Sequence, residues 1–357
     1  MKINDIPSNI RKKVKKGVVI PAMPLALNPD RTFNEKHQRA LARYYLDANV
    51  GGIAVGVHST QFQIRDPEIG LFAPVLRLVS RTIDAWCRPT VNILKVAGIC
   101  GKTEQALKEA GFAVENGYHA GLLSLAAFAH YDIDAMIDHC KRVAAVMPIF
   151  GFYLQPSVGG RILPYAFWRK FVEIENVLAI KIAPFNRYQT LDVVRAVCDA
   201  DRENDIALYT GNDDNIVIDL LTEYRIQTAR GEKAVRIVGG LLGHWSVWTK
   251  TAVELLEQIH DLAENKRPIP RQMLSLAQEI TDANAVFFDA ANNYKGCIPG
   301  LHEVLRRQGL FQGIWCLDEN EILSPGQVEE IDRAYVSYPH LNDDAFVRDN
   351  LEKWLCD

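Results

Sequence analysis

The sequence predicts an α/β fold, a (β/α)8 barrel followed by a C-terminal helical extension, and three observations carry that expectation. Short apolar runs rich in β-branched residues alternate with longer amphipathic stretches through about the first 260 of 357 residues. Eight such runs are present, the number that closes a barrel of parallel strands joined by right-handed crossovers. Beyond the eighth run the strand pattern stops and the chain reads as helix. An open doubly wound sheet is the alternative packing of the same alternation.

The strand-like runs are residues 17–23, 51–57, 89–94, 120–126, 146–154, 177–183, 206–211 and 235–242. Between them lie helical patterns at 34–48, 104–115, 131–145, 165–173, 190–201 and 216–228, with Thr103 as the expected N-cap of the second. Residues 248–265 follow as the eighth barrel helix, and Pro268-Ile269-Pro270 breaks it. Helices are then expected over 271–289, 300–308, 324–336 and 343–356. The domain organisation read from this pattern is a barrel over 1–262, with a short N-terminal extension, and a helical extension over 263–357. No repeat or long linker separates the two, so the extension is expected to pack on the barrel.

Composition narrows the function classes. A hydrophobic content of 48% provides for a large core, and a net charge of -4 carries no sign of a nucleic-acid partner. The basic cluster Arg11, Lys12, Lys13, Lys15 and Lys16 reads as a short solvated extension. No apolar stretch is long enough to span a bilayer, and no signal-peptide pattern is present, so no membrane partner is expected. Seven scattered cysteines, none in a C-x-x-C pair, point to reduced thiols in a cytoplasmic protein without structural zinc. No cofactor is expected, because a Rossmann fingerprint is missing and the phosphate-loop-like stretch ending in Gly101-Lys102-Thr103 has Val96 where a glycine is required. Asp213 and Asp214 have no partner set for a metal and read as turn or capping residues.

One residue carries chemistry. Lys181 is the sole polar side chain in the run 177–183. Burial disfavours an ammonium ion, and a lysine that has lost its proton can attack a carbonyl to form a Schiff base. The plainer alternative is an edge-strand lysine that faces water. In a barrel the active site lies at the carboxyl ends of the strands. The polar residues there are His58-Ser59-Thr60-Gln61 after the second run, Tyr153 and Gln155 in the fifth, Lys181 in the sixth, Asn212-Asp213-Asp214 after the seventh, and Gly239-Gly240 in the eighth.

In order and spacing these residues resemble the dihydrodipicolinate synthase and N-acetylneuraminate lyase family of class I aldolases. The likeness covers nearly the whole chain. It runs from Gly17-Val-Val-Ile-Pro-Ala-Met-Pro through Thr103-Glu-Gln-Ala-Leu, a tyrosine 28 residues before the lysine, and Gly211-Asn-Asp-Asp, to the stretch from Asn293 to Leu310. The resemblance implies that Lys181 forms an imine with a 2-oxo acid such as pyruvate, the iminium serving as the electron sink. It also implies that Tyr153 acts as general acid and base, that an aldehyde is the second substrate, and that the chain assembles as a homotetramer or homodimer. Where relatives have Gly-Thr-Thr-Gly-Glu, an ungapped match puts Val57-His58-Ser59-Thr60-Gln61, so His58, Ser59 and Thr60 are the expected carboxylate-binding residues. Gly239 in the eighth run joins this substrate-binding set.

Departures from the family pattern argue against the dihydrodipicolinate reaction itself. The fourth run ends in Leu125-Ala126-Ala127-Phe128 in place of a tyrosine pair, and the arginine expected five residues after the strand 5 tyrosine is Val158, with Arg161 as its substitute. Phe128, Phe185, His244 and Trp245 are candidates to line a bulkier or less charged pocket. A lyase or aldolase is the first reading. A hydratase or dehydratase of a 2-oxo sugar acid through the same imine, or a barrel that keeps the fold and binds ligand without turnover, are the alternatives.

Overall fold

A computed structural model describes residues 1–87 and 92–356. Its elements in chain order are helix α1 (Ser8–Lys16), strand β1 (Val19–Pro21), α2 (Glu35–Asp47), β2 (Gly52–Val55), α3 (Phe72–Trp86), β3 (Leu94–Ile99), α4 (Thr103–Glu115), β4 (Ala120–Leu123), α5 (Ile133–Val146), β5 (Ile149–Leu154), α6 (Tyr165–Phe171), β6 (Val177–Ala183), α7 (Arg187–Asp199), β7 (Ala207–Thr210), α8 (Ile216–Leu221), β8 (Glu223–Thr228) and β9 (Gly231–Leu242). Five helices follow: α9 (Thr249–Glu264), α10 (Gln272–Phe287), α11 (Cys297–Arg307), α12 (Gln327–Ser337) and α13 (Asp344–Leu355). Eight strands, β1 to β7 and β9, are those of a (β/α)8 barrel, and the C-terminal helices follow it. The chain divides into two compact units, Met1–Val18 with Leu94–Leu241, and Val19–Ile93 with Leu242–Asp357.

The first unit holds the parallel ladder β3-β4-β5-β6-β7-β9. Every residue of β6 is buried, as a strand covered on both faces requires. Helix starts follow side-chain chemistry: Asp132 accepts from the Ala135 amide to cap α5, and Asn186 accepts from the Tyr188 and Gln189 amides to cap α7. The basic N-terminal segment, expected as a solvated extension, is helical. In α1, Ile10 and Val14 are buried while Lys12, Lys13, Lys15 and Lys16 remain in water, so the charges are solvated but the backbone is ordered by its apolar face.

In the second unit β1 and β2 run parallel, joined by the Ala22–Ala54 bridge and by the Met23 amide donating to the Ala54 carbonyl at 2.9 Å. Asn34 caps α2 by accepting from the His37 amide. Tyr44 on α2 donates to the buried Asp343 carboxylate at 2.6 Å, and Asp343 also accepts from the Lys250 amide at 2.9 Å, which ties α2, α9 and the start of α13 around one carboxylate.

Three expectations are corrected. The third strand is Leu94–Ile99, not 89–94; residues 89–91 lie outside the described residues, and the strand includes Lys95, a buried lysine that broke the apolar pattern. The helical reading of 216–228 holds only to Leu221. Glu223–Thr228 is a strand paired antiparallel with β9, a hairpin whose outer positions alternate polar and apolar. Thr103 is not the cap of α4 but its first residue, and its hydroxyl meets His139 Nδ1 at 3.0 Å instead.

Candidate active site

Strand register decides which side chains share a face, because paired residues on neighbouring parallel strands point the same way and successive residues alternate. Lys181 pairs with Phe152 on β5 and with Tyr209 on β7, so these three form one layer. Gly151, Tyr153, Ile180 and Ile182 occupy the opposite face, against α6; a Cβ on Gly151 would strike the Phe171 ring. Lys181 is therefore on the face turned away from the helices. Its Nζ lies 4.7 Å from the centroid of the Phe152 ring. A Cβ at Gly211 would come within 2.5 Å of Lys181 Cε, so the missing side chain at the end of β7 is what lets the lysine lie there.

Lys181 is 8% exposed, and its pKa is pulled from the usual lysine range down to about 8. Burial is the main cause, and the Asp213 carboxylate acts in the opposite direction. Asp213 is itself buried, on the turn that begins at Gly211, and its amide donates to the Gly211 carbonyl at 3.2 Å. The turn is fixed by a polar network. Asn212 Oδ1 accepts from the Phe185 amide at 3.0 Å, and Asn212 Nδ2 and Thr210 Oγ1 each donate to Asp219 Oδ2 at 2.8 Å. Arg187 reaches Asp214 at 3.4 Å and Asp219 at 3.6 Å. Phe185, four residues after the lysine, is held at a φ of 52° by that amide contact, an uncommon conformation for a bulky residue.

The predicted partner of the lysine is elsewhere. Tyr153 pairs with Ile182 and lies on the helix-facing side, with its ring 5.4 Å from Trp168 on α6 and its hydroxyl accepting from the Leu163 amide at 3.1 Å. Burial pushes its phenol up to about 12. The position one residue earlier, Phe152, is the one that meets Lys181, and it carries no exchangeable proton. Register shifts between Ile149 and Phe150, and a one-residue slip moves every later side chain to the other face. Arg161 donates through Nη1 to the Phe128 carbonyl at 2.7 Å and the Tyr131 carbonyl at 2.8 Å, fastening the segment after β4. Gly239 pairs with Tyr209, and a Cβ there would strike the Val18 backbone and the Tyr209 ring, so close packing accounts for it.

In the second unit the turn after β2 is a short 3-10 helix, His58–Thr60. Ser59 donates to the Ala22 carbonyl at 2.6 Å, a carbonyl that also takes the Ser246 hydroxyl. Thr60 donates to the Met23 carbonyl at 2.7 Å while its oxygen accepts from the Gly56 and Val57 amides at 3.0 and 3.2 Å. Each hydroxyl has one proton, so both are committed to the backbone. The His58 ring stands edge-on to Phe62 at 5.9 Å. Gln61, at φ 66°, accepts from the Leu317 amide at 2.6 Å.

The expected lining aromatics are mostly packing groups. Phe128 packs at a tilt against Tyr131 and His139, and Trp245 is fully buried. His244 stacks on Phe287, and burial takes its imidazole down to about 4. Sequence reasoning missed Phe152 as the ring against the lysine and treated Asp213 as a turn residue. The Gly211-Asn-Asp-Asp string was visible, but only strand register shows that Lys181 extends over its glycine.

No family model matches the chain, and no curated protein matches it. Solved structures do. Dihydrodipicolinate synthase from Oceanobacillus iheyensis superposes with a TM-score of 0.72 at 14% identity, covering 93% of this chain and 99% of that one. The chloride-inhibited synthase from Acinetobacter baumannii, complexed with pyruvate, gives 0.72 at 17% identity over 90% and 99%. N-acetylneuraminate lyase from Fusobacterium nucleatum, also complexed with pyruvate, gives 0.67 at 16% identity over 92% and 99%. No helix among the described residues is long and apolar enough to cross a membrane. The chain thus shares its fold with the dihydrodipicolinate synthases and N-acetylneuraminate lyases.

Proposed function

We propose that the protein is a Schiff-base-forming lyase or aldolase that acts on a 2-oxo acid of the pyruvate type, with Lys181 as the nucleophile. The observation that carries this reading is the buried lysine on β6 whose pKa is lowered to about 8, in a fold shared with solved structures that hold pyruvate. At neutral pH roughly one such amine in ten is unprotonated, against fewer than one in a thousand for an ordinary lysine. The free amine adds to the C2 carbonyl, water leaves, and the iminium stabilises a carbanion at C3 as an enamine. Bond making or breaking toward an aldehyde follows from that enamine. Arg161 is carried forward as the carboxylate-binding candidate, because a guanidinium presents several donors. Ser59 and Thr60 are not, since their protons go to backbone carbonyls. The reaction is read as different from dihydrodipicolinate synthesis, because on β5 the side chain in register with the lysine is Phe152 and not a phenol.

A second reading, a barrel that binds its ligand without turnover, is favoured by that same phenylalanine. Borohydride trapping separates the two. Incubation with pyruvate and borohydride is expected to add one reduced adduct to the intact protein, on the peptide containing Lys181, with none on Lys181→Ala. Absence of the adduct with pyruvate and with larger 2-oxo acids would remove the chemical basis of the lyase reading.

A further inference from the structure

In the second unit, helices α2 and α3 leave a groove of about 540 Å³ between them. Its charge is one-sided. Arg39 and Arg43 line it from α2, Arg77 and Arg81 line it from α3, and Glu35 is the single acid among its described lining residues. Within each helix the two arginines stand four residues apart, so they share a face and repel each other. Two such pairs on one groove oppose folding, in a chain whose net charge is -4 and which has no general excess of base. Positive charge concentrated in this way raises the local concentration of anions.

The surroundings of the groove set the size of what fits. At one end the Arg43 guanidinium lies 4.8 Å over the Trp86 ring, and its Nη1 donates to the carbonyls of Trp354, at 2.7 Å, and Cys356 at the end of α13. Lys353 Nζ lies 5.1 Å from the same ring. The carboxylate at this end, Asp47, accepts from Trp86 Nε1 at 2.9 Å, Lys353 Nζ at 2.6 Å and Trp354 Nε1 at 2.7 Å, so Lys353 answers its charge. Glu35, at the start of α2, pairs with Arg39 at 3.1 Å. Arg77 and Arg81 are exposed, and the Arg81 side chain makes no hydrogen bond or ion pair among the described residues.

We propose that this groove binds a small polyanion of the di- or triphosphate class, held by Arg77 and Arg81 from α3 and Arg39 from α2, with Arg43 and Trp86 forming its end. A guanidinium fork pairs phosphate oxygens two at a time, and arginines set one helical turn apart suit linked phosphates better than an isolated one. A groove bounded at one end by α13 holds a short ligand, where a continuous polymer needs an open track. The site does not rest on the imine reading, and none of its residues has a role at Lys181.

The probe is inorganic triphosphate, with binding measured by titration calorimetry on the intact chain at about 0.15 M salt, where diffuse attraction is screened beyond about 8 Å. One saturable site per chain is expected, with pyrophosphate weaker and orthophosphate weakest. Arg77→Ala and Arg81→Ala are each expected to weaken triphosphate binding by roughly tenfold or more, and Arg81→Lys, which keeps the charge but not the fork, by less. Lys12→Ala/Lys13→Ala removes two charges from α1 and should leave the affinity within about threefold. No saturable binding would overturn the proposal. So would an unchanged affinity in Arg77→Ala/Arg81→Ala, or an equal loss in the α1 variant, which would mark general charge attraction. A single-stranded oligonucleotide or an anionic phosphatidylserine vesicle that binds more tightly than triphosphate, and is lost in the same α3 variants, would overturn the small-ligand assignment. Both α3 arginines are exposed, so the variants are expected to fold; if the double variant does not, Arg81→Gln alone decides by the same roughly tenfold criterion.

Discussion

The turn after β2 and the turn after β7 are both short, polar and glycine-adjacent, yet hydrogen-bond accounting separates them. In the turn after β2 the hydroxyl protons of Ser59 and Thr60 both go to carbonyls beside β1, and Thr60 also satisfies two amides. Its polar atoms hold backbone to backbone. In the turn after β7 the bracing falls to Asn212 and Asp219, next to the glycine over which Lys181 lies. The same residue types read from sequence as ligands can be struts. What distinguishes them is where each proton is already committed.

Thr60→Val tests the bracing role most directly. It removes one donor and leaves the Gly56 and Val57 amides without their acceptor, so it is expected to lower unfolding stability by about 2–4 kcal/mol. Urea denaturation measures this; a loss below about 0.5 kcal/mol would return the hydroxyl to the ligand-binding category. By contrast, Lys181→Met removes a buried amine from the other region and is expected to hold or raise stability at neutral pH, in keeping with the cost of a site kept for function.

The lysine also gives the comparison a pH signature. Its folded pKa, about 8, lies below its ordinary value of 10.5. Between those values the unfolded chain binds more protons than the folded one, so this group's contribution makes stability rise with pH across the window, and below it the contribution is constant. Trapping by pyruvate should accelerate as pH rises through about 8, because the free amine is the nucleophile. A trapping profile that is flat from pH 6 to 9 would break the link between burial and reactivity. Lys181→Met should remove the stability slope in this window.

The smallest expected effect belongs to Tyr153→Phe. The Leu163 amide loses its acceptor, which costs about 1 kcal/mol of stability, while pyruvate trapping should change less than threefold. A fall in trapping of 100-fold, the size expected of a general acid, would mean that the phenol reaches the lysine after all.

Much of this was legible in the amino-acid order. The run 177–183 is strand β6 to the residue, because seven successive apolar or β-forming positions with one lysine suit a strand buried on both faces. The C-terminal helices appear where their amphipathic period placed them, within a few residues at each end. Local pattern failed where two elements share one period or a polar residue interrupts it. The β8 strand was read as helix because its alternation is short and solvent-facing, and β3 was misplaced because Lys95 is buried inside it.

By itself the sequence determined the alternation of strands and helices, and it singled out Lys181, since both follow from short-range patterns of apolar and polar residues. The tertiary structure decided which side chain meets that lysine. A strand alternates faces at every residue, so the shift in pairing between Ile149 and Phe150 is enough to bring Phe152 to Lys181 and turn Tyr153 toward α6. It also decided that Ser59 and Thr60 brace, because hydrogen-bond partners tens of residues away in the chain exist only once the strands have docked.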